Sequence, residues 1–490
     1  MAATQFDLVI EGGTVIDGTK APRFDADVGV AAGRIVALAE PGALAGHGAR
    51  RRLAAHGRIV APGFIDSHTH DDLAVLRHRG MDFKVSQGVT TVVTGNCGIS
   101  PAPLEAGTPT PAPISLAVSG GEGRFGTFQQ YLQAMERTPA ALNVAPLVGH
   151  TTLRARCMAD LGRAADAAEV QAMQQHVRQA LAAGAIGVST GTWYPPAAAA
   201  STEEIIEVCR PLSELGGVFA THMRDEGDGV FDALDETFRI GRELGVPVVV
   251  SHHKVNGAPN WGRSVQTLAR IGAAMQHQCV ALDCYPYTAG STMLHDDPAR
   301  LAGRIVIAHS VAQPQMAGRE LAGIAAEWGC DTMEAVRRLQ PAAAIYFTMD
   351  EGDVQRILAF EHTMIGSDGI PLGERPHPRL WGTFPRVLGH YSRRLNLFPL
   401  ETAVWKMTGL TAGNFGLEGR GRVAEGCAAD LVLFDAERVI DTATYEEPQR
   451  AAAGIDAVVV NGEPVWAGGR ETGARPGQVL RRRLEAARSS

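Results

Sequence analysis

Between residues 59 and 368 the chain alternates apolar, β-branched runs with helical stretches, and it does so eight times. The runs are IVAPGFID (59–66), GVTTVVTG (88–95), LNVAPLVG (142–149), AIGVSTG (185–191), GVFATH (217–222), VPVVVSH (246–252), CVALDCY (279–285) and TMIGSD (363–368). Most gaps hold one helix, such as AAEVQAMQQHVRQALAAG or GVFDALDETFRIGRELG. Repeated strand–helix alternation predicts a parallel sheet covered by helices. Eight repeats favour closure into a (β/α)8 TIM-like barrel over a doubly wound open sheet. One gap breaks the rhythm: residues 286–345 hold far more than one helix, which predicts a lid insertion late in the barrel.

The two ends have a different texture. FDLVIEGGTVIDG and ADVGVAAGRIVALAE near the start, and GRVAEGCAADLVLFDAERV and IDAVVVNGEPVWAGG near the finish, read as short strands with Gly-rich turns. They predict one small β-sandwich from residues 1–60 and 417–483, around a barrel at 61–416. A net charge of −8, with no Lys/Arg cluster interleaved with aromatics, gives no footprint for nucleic acid or an anionic membrane. The RRR run at 481–483 reads as a solvated charge run. No apolar stretch approaches the ~20 residues of a membrane span, and MAATQFDLVI lacks the pattern of a leader. Seven scattered cysteines read as free thiols of a reducing compartment, so a cytoplasmic protein is expected, a monomer or small homo-oligomer. Cys209, Cys279 and Cys284 read as ordinary buried thiols.

In a barrel of this class chemistry sits at the C-terminal ends of the strands. Run 1 ends in Asp66-Ser67-His68-Thr69-His70, run 2 leads to Cys97, run 5 ends at His222, run 6 at His252 and run 8 at Asp368. Run 3 leads to His150. In an H-x-H pair on a strand both imidazoles point to one side. Histidine and thiolate are ligands that zinc favours. An aspartate at the last strand can hold and deprotonate a metal water. A metal site at the barrel mouth is therefore expected, with Cys97 at one of the exits around it.

These strand ends, with the entry phrase VAPGFIDSHTH, resemble the amidohydrolase superfamily. GNCG, STGTWYPP, THMRDEG, SHHKVNG, CYPYTAGSTM, IGSDG and RPHPRLWGTFPRVLGHY resemble the D-aminoacylases more closely, along essentially the whole chain. Many superfamily members bridge two metals with a carbamylated lysine from strand 4. Here the four lysines are Lys20, Lys84, Lys254 and Lys406, and none is on strand 4. The resemblance gives the bridging place to Cys97. It implies a tight zinc ion on Cys97, His222 and His252, with a second, weaker site near His68 and His70.

The resemblance further implies that Asp368 is the general base, and later the acid, in hydrolysis of an N-acyl-D-amino acid, a small-molecule substrate. Arg379, Lys254 and Tyr285 resemble the family's α-carboxylate pocket, and Ser291 and Tyr194 are placed for amide and acyl contacts. After Ser291 the chain reads TMLHDDPARLAG. His295-Asp296-Asp297 offers no cation to an acidic side chain, whereas Met293, Leu294, Phe347 and Met349 suit an apolar one. Hydrophobic substrates such as acyl-D-Met, -Leu or -Phe are therefore expected. An N-acyl-D-glutamate or N-acyl-D-aspartate deacylase is the alternative, and it would call on Arg300 or Arg304. A hydantoinase-type cyclic amidase wants the missing lysine, and a catalytically dead barrel would have lost its metal ligands.

Overall fold

Pro62-Gly63 divides what the sequence presents as a single first strand. In the computed structural model, which describes residues 5–116, 118 and 123–482, Ile59–Pro62 belongs to a sheet built from the two chain ends. Phe64–Asp66 starts the barrel. Between them Gly63 donates its N–H to the Asp430 carbonyl at 2.8 Å. A Cβ on Gly63 would lie 2.1 Å from Thr90 Cγ2, so the turn into the barrel needs glycine. Residues 1–4 and Arg483 lie outside the described residues. Of the basic run at 481–483, Arg481 hydrogen-bonds Glu136.

The barrel strands are Phe64–Asp66, Val89–Thr94, Asn143–Pro146 continued by Val148–Gly149, Gly187–Gly191, Val218–His222, Val248–Val250, Val280–Cys284 and Thr363–Ile365. All neighbouring pairs run parallel. The circle closes where Asp368 N–H donates to the His68 carbonyl at 2.8 Å and Thr69 bridges Gly369. Ile65, Val93, Ala145, Ile186, Val218 and Val249 fill the interior, and Phe415 and Leu417 join the same core. The barrel is thus packed through, leaving its mouth as the place for chemistry.

Helices form where the local signals agree. Ala167–Ala183 starts with an Asp166/Glu169 capping box and stops at Gly184, whose φ of 112° suits only glycine. It buries Met173, Val177, Ala180 and Leu181 on one face.

The terminal sheet has nine strands, with Ile59–Pro62 lying between Phe6–Val15 and Leu431–Phe434. Leu8, Ile10, Val28, Ile35, Leu431 and Val459 make its core. The late insertion forms a three-stranded antiparallel sheet of Gly290–Met293, Arg304–Ser310 and Ala342–Phe347. Helices Leu321–Trp328 and Thr332–Leu339 back it, with Ile307, Ile324, Val336 and Leu339 between. Among the described residues no helix is long and apolar enough to cross a membrane. Cys209 and Cys284 are buried, but Cys279 is exposed: it stands just before its strand, where the chain has not yet entered the core.

Candidate active site

The backbone turns sharply at three of the barrel exits. Cys97, His252 and Asp368 have φ of 53°, 36° and 49°, in the left-handed region that side chains avoid. Each such corner costs on the order of 1–3 kcal/mol and persists only where the surroundings impose it. Here it turns three polar side chains inward at the ends of three separate strands.

Cys97 Sγ lies 3.3 Å from His68 Nε2, 3.4 Å from His252 Nε2 and 3.7 Å from His222 Nδ1. His70 Nε2 and His68 Nε2 stand 3.3 and 3.6 Å from Asp368 Oδ1. Two clusters of metal-ligating atoms result, His68–Cys97–His252 and His68–His70–Asp368, sharing His68. A third joins His222 and His252 through Glu226.

The donor set fits a metal cation. Burial holds the His68, His222 and His252 rings well below the usual imidazole value, in the neutral form that ligates. Burial, with Asp368 adding to it, drives the Cys97 thiol well above its ordinary value. A thiolate there therefore calls for a cation at the sulfur. His68 Nδ1, His70 Nδ1 and His222 Nε2 are buried without a hydrogen-bond partner. Zinc is the ion this N/S set suits.

Asp368 is nearly buried, and burial alone would raise its pKa. The Arg379 guanidinium, His252 and the hydrogen bond from His70 outweigh burial and hold it well below the usual carboxylate range. Arg379 is wholly buried: one terminal nitrogen stands 3.0 Å from Asp368 Oδ2 and the other donates to the Ser291 carbonyl at 2.9 Å. Its Nε has no acceptor. Its plane lies 4.5 Å over the Tyr285 ring. Lys254 Nζ is 2.6 Å from Glu226 Oε1 and 2.7 Å from His252 Nδ1, and 5.7 Å over the Tyr285 ring. The Tyr194 hydroxyl meets Thr292 Oγ1 at 3.3 Å, and its ring packs 5.0 Å from His222. His150, considered above as a strand exit, pairs with Glu204 at 3.3 Å.

A cavity of about 590 Å³ is lined by Lys254, Tyr285, Ser291, Tyr194, His222 and Asp368, with Arg379 buried behind Asp368 and outside the lining. Its outer wall corrects the sequence reading. Met293, Leu294, Phe347 and Met349 do not line it. Leu294 is drawn into the insertion's own core, and Met349 packs on Tyr285 and Tyr287. The wall is instead Trp193, Tyr346, His295 and Arg300, with the Arg300 guanidinium 4.1 Å over Trp193. Arg304 is exposed and pairs with Glu320.

Several groups at the site escaped the sequence reading. Asp283 Oδ1 accepts from His252 N–H at 2.8 Å and so supports the corner at that ligand. Lys84, wholly buried, joins Asp66 Oδ2 and Ser367 Oγ, each at 2.7 Å. Asp66 Oδ1 accepts from Ser367 N–H at 2.7 Å, tying the first and last strands beneath His68. Trp193 stacks on His222 at 5.4 Å, and Glu226 stands behind both His222 and His252. The available signals were Asp283 at the end of its strand, the acid just before H-x-H, and an acid four residues after His222.

Residues 53–466 match the model of the amidohydrolase family. The chain is 61% identical over 477 residues to the D-aminoacylase of Alcaligenes xylosoxydans xylosoxydans, covering 97% of this chain and 98% of that one. A solved structure of D-aminoacylase, studied for its binuclear metal centre, superposes with a TM-score of 0.94 at 62% identity, over 97% of this chain and all of that one. An N-acyl-D-glutamate deacylase from Bordetella bronchiseptica, solved with zinc and a phosphonate inhibitor, superposes with a TM-score of 0.94 at 47% identity, over 98% of this chain and 100% of that one.

Proposed function

The chain belongs to the amidohydrolase family, and we propose that this enzyme hydrolyses the amide bond of N-acyl-D-amino acids to a carboxylate and the free D-amino acid. The observation that carries the reading is the Cys97 thiol, buried among three imidazoles beside Asp368. Cys97, His222 and His252 would hold a tight zinc ion, and His68 and His70, with Cys97 beside them, would hold a second, weaker one. Zinc in the tight site would polarise the amide carbonyl and acidify water.

The chain's own groups supply the rest. Asp368 Oδ1 accepts the proton of the attacking water and returns it to the leaving amine. Its depressed pKa keeps it ionised at neutral pH. Arg379, Lys254 and Tyr285 hold the substrate α-carboxylate. The unpaired Nε of Arg379 supports this, because a buried donor without an acceptor is costly unless a ligand satisfies it. Ser291 and Tyr194 contact the amide and the acyl group. With the carboxylate and the scissile carbonyl both fixed, one direction is left for the side chain, and only the D-isomer uses it.

The aromatic wall of Trp193, Tyr194 and Tyr346 favours a hydrophobic side chain such as Met, Leu or Phe. Arg300 on the same wall favours the second reading, an acidic side chain. A panel of N-acetyl-D- and L-amino acids scored for free amine tests both. Acetyl-D-methionine should lead in kcat/KM. Preference for L-isomers would overturn the reaction. Preference for acetyl-D-glutamate would keep the reaction and replace the side-chain reading.

A further inference from the structure

We infer that Glu226 is the positioning residue for both histidines of the tight metal site, its carboxylate fixing which nitrogen of each ring carries the proton. The inference rests on the zinc reading above. His222 turns Nδ1 toward Cys97 Sγ at 3.7 Å and Nε2 toward Glu226 Oε2 at 3.7 Å. His252 is placed in the opposite sense, with Nε2 3.4 Å from Cys97 Sγ and Nδ1 3.1 Å from Glu226 Oε1. The two rings use different nitrogens on the sulfur side, yet both remote nitrogens face one carboxylate.

A neutral imidazole has one N–H and one bare nitrogen, and a metal takes the bare one. The remote nitrogen must therefore carry the proton and needs an acceptor. His222 Nε2 is buried and has no other hydrogen-bond partner, and a ring shift of under about 1 Å brings it into bonding range of Glu226. His252 Nδ1 has two neighbours, Glu226 Oε1 and Lys254 Nζ. A donating lysine would force the proton onto Nε2, where it would block the metal. Glu226 Oε1 takes that lysine at 2.6 Å, and when the ammonium turns wholly to this oxygen and away from Nδ1, 2.7 Å off, Nδ1–H can donate to the carboxylate. Glu226 is itself held in place: it is buried, the Asn256 amide donates to Oε2 at 3.2 Å, and Asn256 N–H donates to its carbonyl at 2.7 Å.

The test uses the full chain made metal-free and titrated with zinc alone against a chromophoric chelator. Isosteric Glu226→Gln offers one acceptor oxygen where two are needed, so its zinc Kd should rise roughly 10–100-fold. Lys254→Met should stay within about threefold of the parent, since it leaves both acceptor oxygens. The double variant Glu226→Gln/Lys254→Met should keep the full loss. Recovery of tight binding in the double variant would overturn the inference, because the loss would then come from a stranded ammonium. The double variant also supplies the measurement if Glu226→Gln alone fails to fold. Cobalt(II) gives a second readout: the visible d–d bands should move in Glu226→Gln as the rings turn, and stay in place in Lys254→Met. Unchanged affinity and unchanged bands in Glu226→Gln would overturn the role of Glu226 alone. A parent protein that binds no zinc would overturn the metal reading beneath it.

Discussion

Replacing Cys97 by alanine should separate metal binding from folding. Alanine keeps the Cβ and the left-handed backbone at φ 53°, so the strain at the corner is unchanged. The loss is one buried sulfur, and the small void it leaves costs on the order of 1 kcal/mol. The metal contribution is larger. Zinc at a thousandfold excess over its Kd stabilises the folded chain by about 4 kcal/mol. Unfolding entropy near 2.1 cal/mol/K per residue gives about 1 kcal/mol/K for this length, so zinc should raise the parent's Tm by about 4 °C. Without zinc, Cys97→Ala should melt within about 1 °C of the metal-free parent, and zinc should barely move it. Calorimetry with and without zinc, with metal content by plasma spectrometry, makes the comparison, and turnover should be nearly abolished. A variant that carries one zinc per chain, shows the parent's thermal shift and keeps its turnover would refute the reasoning and make Cys97 a packing residue.

Asp368→Asn should keep zinc and lose roughly 10²–10⁴-fold in kcat, as an amide accepts no proton at neutral pH; a loss under about tenfold would move the base elsewhere. Arg379→Ala should lower kcat/KM for every N-acyl-D-amino acid by a similar factor, and a loss confined to one side chain would remove it from carboxylate binding. Burial alone would raise the Glu204 pKa, but the His150 ring and the Arg154 guanidinium outweigh it and hold the carboxyl at about 2. The stability this pair gives is present above the ordinary carboxyl value near 4.5 and is lost as pH falls toward 2, so urea midpoints should drop across that window. Glu204→Gln should be weaker at pH 7 and flatter between pH 4.5 and 2, and parallel profiles would refute the assignment.

The barrel was legible because its strands are buried on both sides and so read as apolar runs of the right length, and their ends then placed Cys97, the four histidines and Asp368. The division at Pro62-Gly63 was not, because IVAPGFID is apolar throughout and only tertiary pairing tells one sheet from the other. The supporting shell of Asp66, Lys84, Glu226 and Asp283 stayed hidden for another reason. Each is a charged residue near a loop, a common sight in any sequence, and only burial against a partner makes it exceptional. The residues expected to line the side-chain pocket were misplaced because the insertion folds as a layer of its own: its core claims Leu294, and Arg300 is left facing the cavity.

The strand Ile59–Pro62 lies between partners from the two extremes of the chain, and this has a consequence for synthesis. Its neighbour on one side, Phe6–Val15, emerges early, but Leu431–Phe434 leaves the ribosome late. At 5–20 residues per second the interval is roughly 20 to 70 s. Throughout it a wholly apolar strand edge stands open, and for most of it the first barrel strand also lacks Thr363–Ile365, the neighbour that completes the circle. The nascent chain therefore cannot complete the terminal sheet until most of it has been made. A product truncated before Leu431 keeps the sticky edge permanently.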